Sequence, residues 1–353
     1  MKKIKVLVVD DSAFMRKALR EILESDPQIE VVDTARNGKE ALDKVAQLKP
    51  DVVTLDINMP VMDGKEALKL IMETNPLPVV IVSSLTTDEA PITMELLDLG
   101  AFDYVPKPSG TISLDIHKVA EEIVAKVKEA YRARHRISSR KPSPRALKTS
   151  FQPTKRGLAE YIVAIGISTG GPATLIDILQ DCEVDEETAY LVVQHMPPQF
   201  TPSLAKRLSE YTPIDFFHAS HGQAVLGGHG YLAPGGWHMK VTPDKKIKLF
   251  KDDSYIYYPS VDVLFDSVAE VYCPNAVGVL LTGIGRDGAE GLLKMKQRGC
   301  ITIAESEETA VVYGMPAAAK EIGAAMEILP AYRIASAIKR HIRRIKERSG
   351  GRV

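Results

Sequence analysis

Cysteine is scarce here: Cys182, Cys273 and Cys300 are the three in a chain of 353 residues. They are odd in number and far apart, and none forms a C-x-x-C pair, so neither a disulfide framework nor a zinc site is expected. A dominant charge is missing too. The 45 Lys and Arg residues nearly balance 46 Asp and Glu, leaving −1, which gives no general attraction to nucleic acid or anionic membrane. No apolar run approaches membrane-spanning length. The start, Met1-Lys2-Lys3-Ile4-Lys5, has the basic character of a signal peptide, but the apolar run Val6 to Val9 stops at Asp10-Asp11 and is too short for a leader core. A cytoplasmic protein without membrane insertion is expected. Hydrophobic residues make up 45% and charged residues 26%, enough apolar surface for real cores, and the length suits two domains.

Acidic residues are absent between Ala130 and Ala159, where Arg132, Arg134, Arg136, Arg140, Lys141, Arg145, Lys148, Lys155 and Arg156 accumulate among Ser and Pro. Such a stretch repels itself and carries no periodicity, so it reads as a flexible linker. Tyr131 and Phe151 are the only aromatic rings of Phe, Tyr or Trp among these charges, too few for the series a base-stacking platform would require. The organisation expected is therefore residues 1–130, a basic linker over 131–158, and a second domain over 159–353.

In the first domain, apolar runs at Ile4–Val9, Glu30–Val32, Val52–Leu55, Val79–Val82 and Phe102–Val105 alternate with helical patterns. Continuous apolar strands alternating with helices predict a doubly wound parallel sheet, α/β in class. Ligands in such sheets bind beyond the carboxyl ends of the strands, and that edge collects Asp10, Asp11, Asp56, Ser83 and Lys107. Three crowded carboxylates repel one another unless a divalent cation joins them, and an all-oxygen site suits Mg²⁺. Asp56 could then attack a phosphoryl donor, with Lys107 and the Ser83 hydroxyl meeting the phosphoryl oxygens. With Val9-Asp10-Asp11-Ser12, Leu55-Asp56-Ile57-Asn58-Met59-Pro60, Asp63-Gly64, Ser83 and Lys107-Pro108 in place, the segment resembles the receiver domain of bacterial response regulators. The resemblance implies a flavodoxin-like fold, phosphorylation at Asp56, and Tyr104 as an aromatic switch residue.

The second domain centres on Ile162-Val163-Ala164-Ile165-Gly166-Ile167-Ser168-Thr169-Gly170-Gly171-Pro172. An apolar strand, a G-x-S-x-G turn and a helix start have the form of a nucleophile elbow; a glycine-rich turn that merely contains a serine has the same pattern. His195 follows the apolar run Ala189–Gln194, and Asp287 lies just past the run Ala276–Thr282. Parallel strands would bring all three residues to one edge, as a serine, a base and an orienting carboxylate require. The chain order Ser, His, Asp differs from the Ser, Asp, His order of α/β-hydrolases. A competing pattern, Gly283-x-Gly285-x-x-Gly288 followed by Glu305, has the spacing of a dinucleotide fingerprint. Against it, the Asp287 carboxylate would oppose a pyrophosphate. An effector that only binds DNA would need a helix-turn-helix, and none is evident after Glu160. A metal site built on His218 and His221 lacks ligand spacing. The stretch Tyr332 to Arg348 has apolar residues at helical spacing under many Lys and Arg, and is expected to pack on the sheet with a solvated basic face.

The stretches Gly166 to Pro172, Gln194-His195-Met196-Pro197, Ala233-Pro234-Gly235-Gly236, Pro259-Ser260-Val261-Asp262 and Leu281 to Gly288 resemble the catalytic domain of the chemotaxis protein-glutamate methylesterases. A second α/β domain with a mainly parallel sheet follows from the same alternation of elements. The resemblance implies catalytic Ser168, His195 and Asp287, with Thr169 and the Ile284 main-chain N–H as oxyanion support, and no cofactor in this domain. It further implies methyl-accepting chemotaxis receptors as substrate, a chemotaxis histidine kinase as phosphodonor, glutamine deamidation as a second activity, and inhibition by the receiver until Asp56 is phosphorylated. Two departures stand out: Ile284 where the family usually has methionine, and Tyr258 where it has a basic residue.

Overall fold

A computed structural model describes residues 3–84, 86, 89–107, 114–137, 157–252, 254–255 and 257–350. The chain forms two compact units, Met1–Pro144 and Arg145–Val353. In the first, β1 (Ile4–Val9), α1 (Ala13–Glu24), β2 (Ile29–Ala35), α2 (Gly38–Leu48), β3 (Val52–Asp56), α3 (Gly64–Thr74), β4 (Val79–Ser83), α4 (Glu89–Asp98), β5 (Asp103–Pro106) and α5 (Leu114–Ile137) alternate strictly. The strand order β2-β1-β3-β4-β5, all parallel, is the flavodoxin-like order. Val6 to Val9, Val52 to Leu55 and Val79 to Val82 are fully or almost fully buried because helices cover both faces. Ser12, Asn37 and Asp63 cap α1, α2 and α3 with side-chain oxygens that accept from Met15 N, Glu40 N and Glu66 N.

Helix α5 runs on to Ile137, so residues 131–137, expected in the linker, continue a helix; Ile123, Val127, Ala130 and Ala133 on its inner face are buried. Of the rest of the expected linker, 138–156 lies outside the described residues, as does Pro108, while Gly157 and Leu158 are described.

The second unit contains β6 (Tyr161–Ile167), α6 (Gly171–Leu179), β7 (Thr188–Gln194), α7 (Thr201–Tyr211), β8 (Asp215–His218) and β9 (His229–Leu232). A hairpin of β10 (His238–Val241) and β11 (Ile247–Phe250) precedes α8 (Val261–Val271), β12 (Ala276–Leu280), α9 (Ala289–Gln297) and β13 (Ile301–Glu305). The chain ends through α10 (Met315–Glu321), β14 (Glu327–Leu329) and α11 (Ala331–Gly350). Seven strands in the order β14-β13-β12-β6-β7-β9-β8 pair in parallel throughout. The chain lays β7 on one side of β6 and β12 on the other, so the order reverses at β6, the topological switch where open α/β sheets bind ligands.

Pattern reading missed α10 and β14. Both are too short, at 7 and 3 residues, to show a period of their own. Helix α11 packs its apolar stripe (Ile334, Ala337, Ile338, Ile342, Ile345) inward, and buried His341 meets Glu327 Oε1 at 2.6 Å. Cysteine scarcity misled as well. Cys273 and Cys300 form a disulfide, their Cα atoms 5.3 Å apart. The pairing of Val277 with Ile301 sets the residues before β12 and β13 side by side, a closeness invisible in sequence spacing. Among the described residues no helix is long and apolar enough to cross a membrane.

Candidate active site

Parallel register brings two of the expected residues together. Ile167 pairs with Gln194 at the ends of β6 and β7, so Ser168 and His195 are the next residues on neighbouring strands. His195 N donates to Ile167 O at 3.1 Å. On the other side of β6, Leu280 pairs with Gly166, and Ser168 N donates to Thr282 O at 2.9 Å. The loop after β12 then carries Asp287 back to the same edge, where its Oδ2 lies 2.8 Å from His195 Nε2. A carboxylate only accepts, so the imidazole donates through Nε2. His195 Nδ1 is buried and has no hydrogen-bond partner among the described residues.

Asp287 sits at the N-terminus of α8. Its Oδ2 also accepts from Val261 N at 2.7 Å, while Oδ1 accepts from Ser260 Oγ at 2.9 Å and Asp262 N at 3.2 Å. The helix start supplies unsatisfied N–H groups and the positive end of the dipole, so this is a natural seat for a carboxylate. Burial alone would push the Asp287 carboxyl up; the His195 hydrogen bond and charge, with the Val261 and Asp262 amides, hold it below its ordinary value. Asp262, one turn away, is driven the other way by burial and then by the Asp287 charge, although its Oδ1 accepts from Gly291 N at 2.7 Å. Ser260, which pattern reading did not assign to the site, holds the Asp287 carboxylate. Its hydroxyl caps α8, accepting from Val263 N, and at the same time donates to Asp287. Its sequence signals were its position as a helix cap and its place in the stretch Pro259 to Asp262 that resembles the family.

The serine turn is held from below. Gly170 takes a left-handed φ of +73° and opens α6, a conformation glycine adopts without a Cβ penalty. Buried Gln194 donates from Nε2 to Ser168 O at 2.9 Å and His195 O at 3.0 Å, tying the two strand ends. Thr169 is buried, and its carbonyl accepts from Thr282 Oγ1 at 2.9 Å. Ile284 is half-buried in the loop beside it. Neither the Thr169 nor the Ile284 amide donates a hydrogen bond among the described residues.

Glu305 has a structural task in place of the one its fingerprint spacing suggests. It is fully buried, with Oε2 accepting from Thr282 N at 2.9 Å and Oε1 from Thr309 Oγ1 at 2.9 Å. With Asp287 also turned inward, the Gly283–Gly288 turn offers no acidic side chain to a ribose. Tyr258, the second family departure, packs its ring 4.5 Å from that of His238, whose Nδ1 accepts from Ser260 N at 3.2 Å. Burial pushes the His238 imidazole below its ordinary value.

In the first unit, Asp10, Asp11 and Asp56 place carboxylate oxygens within 4.8 Å of one another. Lys107 Nζ lies 2.8 Å from Asp56 Oδ1 and 3.2 Å from Asp10 Oδ2. Burial raises the Asp56 carboxyl to about 6, helped by the Asp10 charge and opposed by Lys107. Asp56 Oδ2 is buried without a hydrogen-bond partner, so the donor set suits a hard divalent cation. Ser83 Oγ donates to Glu89 Oε2 at 2.9 Å, and Asn58 Nδ2 donates to Glu89 Oε1 at 2.8 Å. Sequence gave no sign of Glu89, which reaches both loops only because α4 starts above them. Tyr104 is buried, with Lys126 Nζ 4.9 Å from its ring centre.

Residues 163–338 match the family model of CheB methylesterase, and residues 6–117 that of the response regulator receiver domain. The chain is 47% identical over 356 residues to the protein-glutamate methylesterase/protein-glutamine glutaminase of Caldanaerobacter subterraneus subsp. tengcongensis, covering 97% of both chains. It is 48% identical over 351 residues to the protein of that name from Symbiobacterium thermophilum, covering 96% of this chain and 97% of that one. Among solved structures, the Thermotoga maritima CheB methylesterase catalytic domain shares 40% identity at a TM-score of 0.49, covering 51% of this chain and 98% of that chain. A receiver joined to a hydrolase domain is the class of protein so defined. On the identity and coverage of its curated relatives, the chain belongs to the CheB family of protein-glutamate methylesterases/protein-glutamine glutaminases, enzymes that hydrolyse carboxylic esters.

Proposed function

We propose that this chain hydrolyses glutamate γ-methyl esters on chemotaxis receptors in the cytoplasm, using Ser168, His195 and Asp287, and that phosphorylation of Asp56 releases that activity. The observation that carries the reading is the His195–Asp287 contact at 2.8 Å on the strand edge beside Ser168. Because Nε2 is committed to Asp287, Nδ1 is the nitrogen that takes the Ser168 proton as Oγ attacks the ester carbonyl. The oxyanion that forms meets the Ile284 and Thr169 amides, which are positioned donors of the kind that stabilise developing charge. His195 then protonates the departing methoxide, releasing methanol. Water attacks the acyl-enzyme, gives a proton to His195, and the Ser168 hydroxyl is restored. The same steps on a glutamine side chain release ammonia, in keeping with the names of the relatives.

Asp56 is the phosphoryl acceptor, supplied by a chemotaxis histidine kinase. Mg²⁺ held by Asp10, Asp11 and Asp56 would neutralise the crowded carboxylates and phosphoryl oxygens. Lys107 pairs with the added charge, and Ser83 and Tyr104 respond to it. The receiver (residues 1–130) inhibits the esterase domain (159–353) until then, and the basic segment over 131–158 joins them.

Methanol release from methylated receptor membranes tests both parts, measured with and without Mg²⁺ plus a small phosphodonor. Release should rise with the phosphodonor and vanish in Ser168→Ala, whose fold and Asp56 phosphorylation stay intact. Hydrolysis surviving in Ser168→Ala would sink the triad; release indifferent to the phosphodonor would sink the switch.

A further inference from the structure

The segment that cradles Asp287 also lies across the base. Tyr257 stands three residues before Ser260, and its ring stacks on the His195 imidazole, with centroids 4.5 Å apart and planes within 2° of parallel. The ring is half-buried. Its hydroxyl end lies against the loop after β12: a Cβ placed on Gly285 would stand 2.6 Å from Tyr257 Oη. Gly285 has a φ of +87° and immediately follows Ile284. One side chain therefore lies in parallel, offset contact with the base and reaches the loop that holds the Ile284 amide.

The imidazole needs such a wall. The Nε2 bond to Asp287 holds one point of the ring, but rotation about Cβ–Cγ, which that single bond limits only in part, would turn Nδ1, on the reading above the nitrogen that serves Ser168, out of line. Buried Nδ1 has no partner among the described residues to prevent this. A flat aromatic face in parallel contact resists that rotation, because tilting the imidazole drives its edge into the tyrosine ring. Reacting groups held out of line by about 1 Å lose on the order of 100-fold in rate.

We propose that Tyr257 is a positioning residue, whose ring holds the His195 imidazole in the plane that presents Nδ1 to Ser168. The inference rests on the Ser168–His195–Asp287 reading above. The other ionisable groups at the pair are Asp287 on the Nε2 side and Asp262 behind it. Tyr257→Phe keeps the stacked face and removes the hydroxyl; Tyr257→Leu keeps apolar bulk and removes the flat face.

The test is steady-state methanol release from methylated receptor membranes by the phosphodonor-treated full chain, with Ser168→Ala as the reference for zero. Tyr257→Phe should keep kcat within about threefold. Tyr257→Leu should lower kcat by ten- to a hundredfold with KM within about twofold, at an unchanged melting temperature. Should leucine lower the melting temperature, Tyr257→Met, the more adaptable side chain, takes its place with the same expected loss. Wild-type kcat in the Leu and Met variants, beside an inactive Ser168→Ala, would overturn the positioning role and leave the triad standing. An equal loss in Tyr257→Phe would also overturn it, because the hydroxyl and not the stacked face would then matter. Activity in Ser168→Ala would instead remove the reading on which the inference rests.

Discussion

His195 meets Asp287 through Nε2, at 2.8 Å, while its Nδ1 is buried with no hydrogen-bond partner among the described residues. The relationship is set by the backbone: the His195 N–H is tied to Ile167 O, and the Asp287 carboxylate is pinned to the start of α8.

Replacing Asp287 with asparagine turns an acceptor-only group into one whose amide faces the N–H groups of Val261 and Asp262. The variant should lose about 10³- to 10⁴-fold in kcat, the scale seen when a triad carboxylate no longer fixes its histidine. The sign of the pH effect follows from the lowered carboxyl. A group depressed in the fold contributes stability that is present above its ordinary value and lost as pH falls through the folded value. Urea unfolding should show wild type well above Asp287→Asn at pH 7, with the gap closing below about pH 4. A gap independent of pH would mean that the charge of Asp287 does not stabilise the fold.

Ser260→Ala removes a helix cap and one of the donors to Asp287 together. A lost cap costs about 1 kcal/mol, and the freed carboxylate should lower kcat by about three- to tenfold. Thermal melting and methanol release check the two parts, and Ser260→Thr, which keeps the hydroxyl, should restore most of both.

Glu89 holds the Ser83 hydroxyl and the Asn58 amide at once. Ser83 must leave Glu89 to reach a phosphoryl oxygen on Asp56, so Glu89→Ala should speed phosphorylation of Asp56 by a small phosphodonor several-fold. Intrinsic fluorescence is poorly placed to report this, since the single tryptophan is Trp237. Phosphate incorporation is the direct measurement, and an unchanged or slower rate would refute the latch.

Much of the fold was legible because its signals are local. Buried parallel strands are unbroken apolar runs, and all five of the first unit lie within a few residues of the runs that predict them. The candidate groups there closely follow those runs, so Asp10, Asp56, Ser83 and Lys107 could be named from position alone. The candidates Ser168 and His195 are likewise the next residues after β6 and β7, while Asp287 lies further on, in the loop after β12. The net charge of −1 gave no sign of a basic binding surface spread over the whole molecule.

Tertiary structure decided the rest. The residues 131–137 joined α5 because an inner apolar face extends past the place where acidic residues stop. Cys273 met Cys300, and Glu305 met Thr282 N, only through pairings between strands far apart in sequence. Which imidazole nitrogen faces Asp287, the seat of that carboxylate on α8, and the ring of Tyr257 over His195 likewise depend on long-range packing. Periodicity and turn chemistry report a residue's immediate neighbours along the chain. Hydrogen-bond geometry across an edge depends on the register of several strands at once, and no single stretch of sequence contains that register.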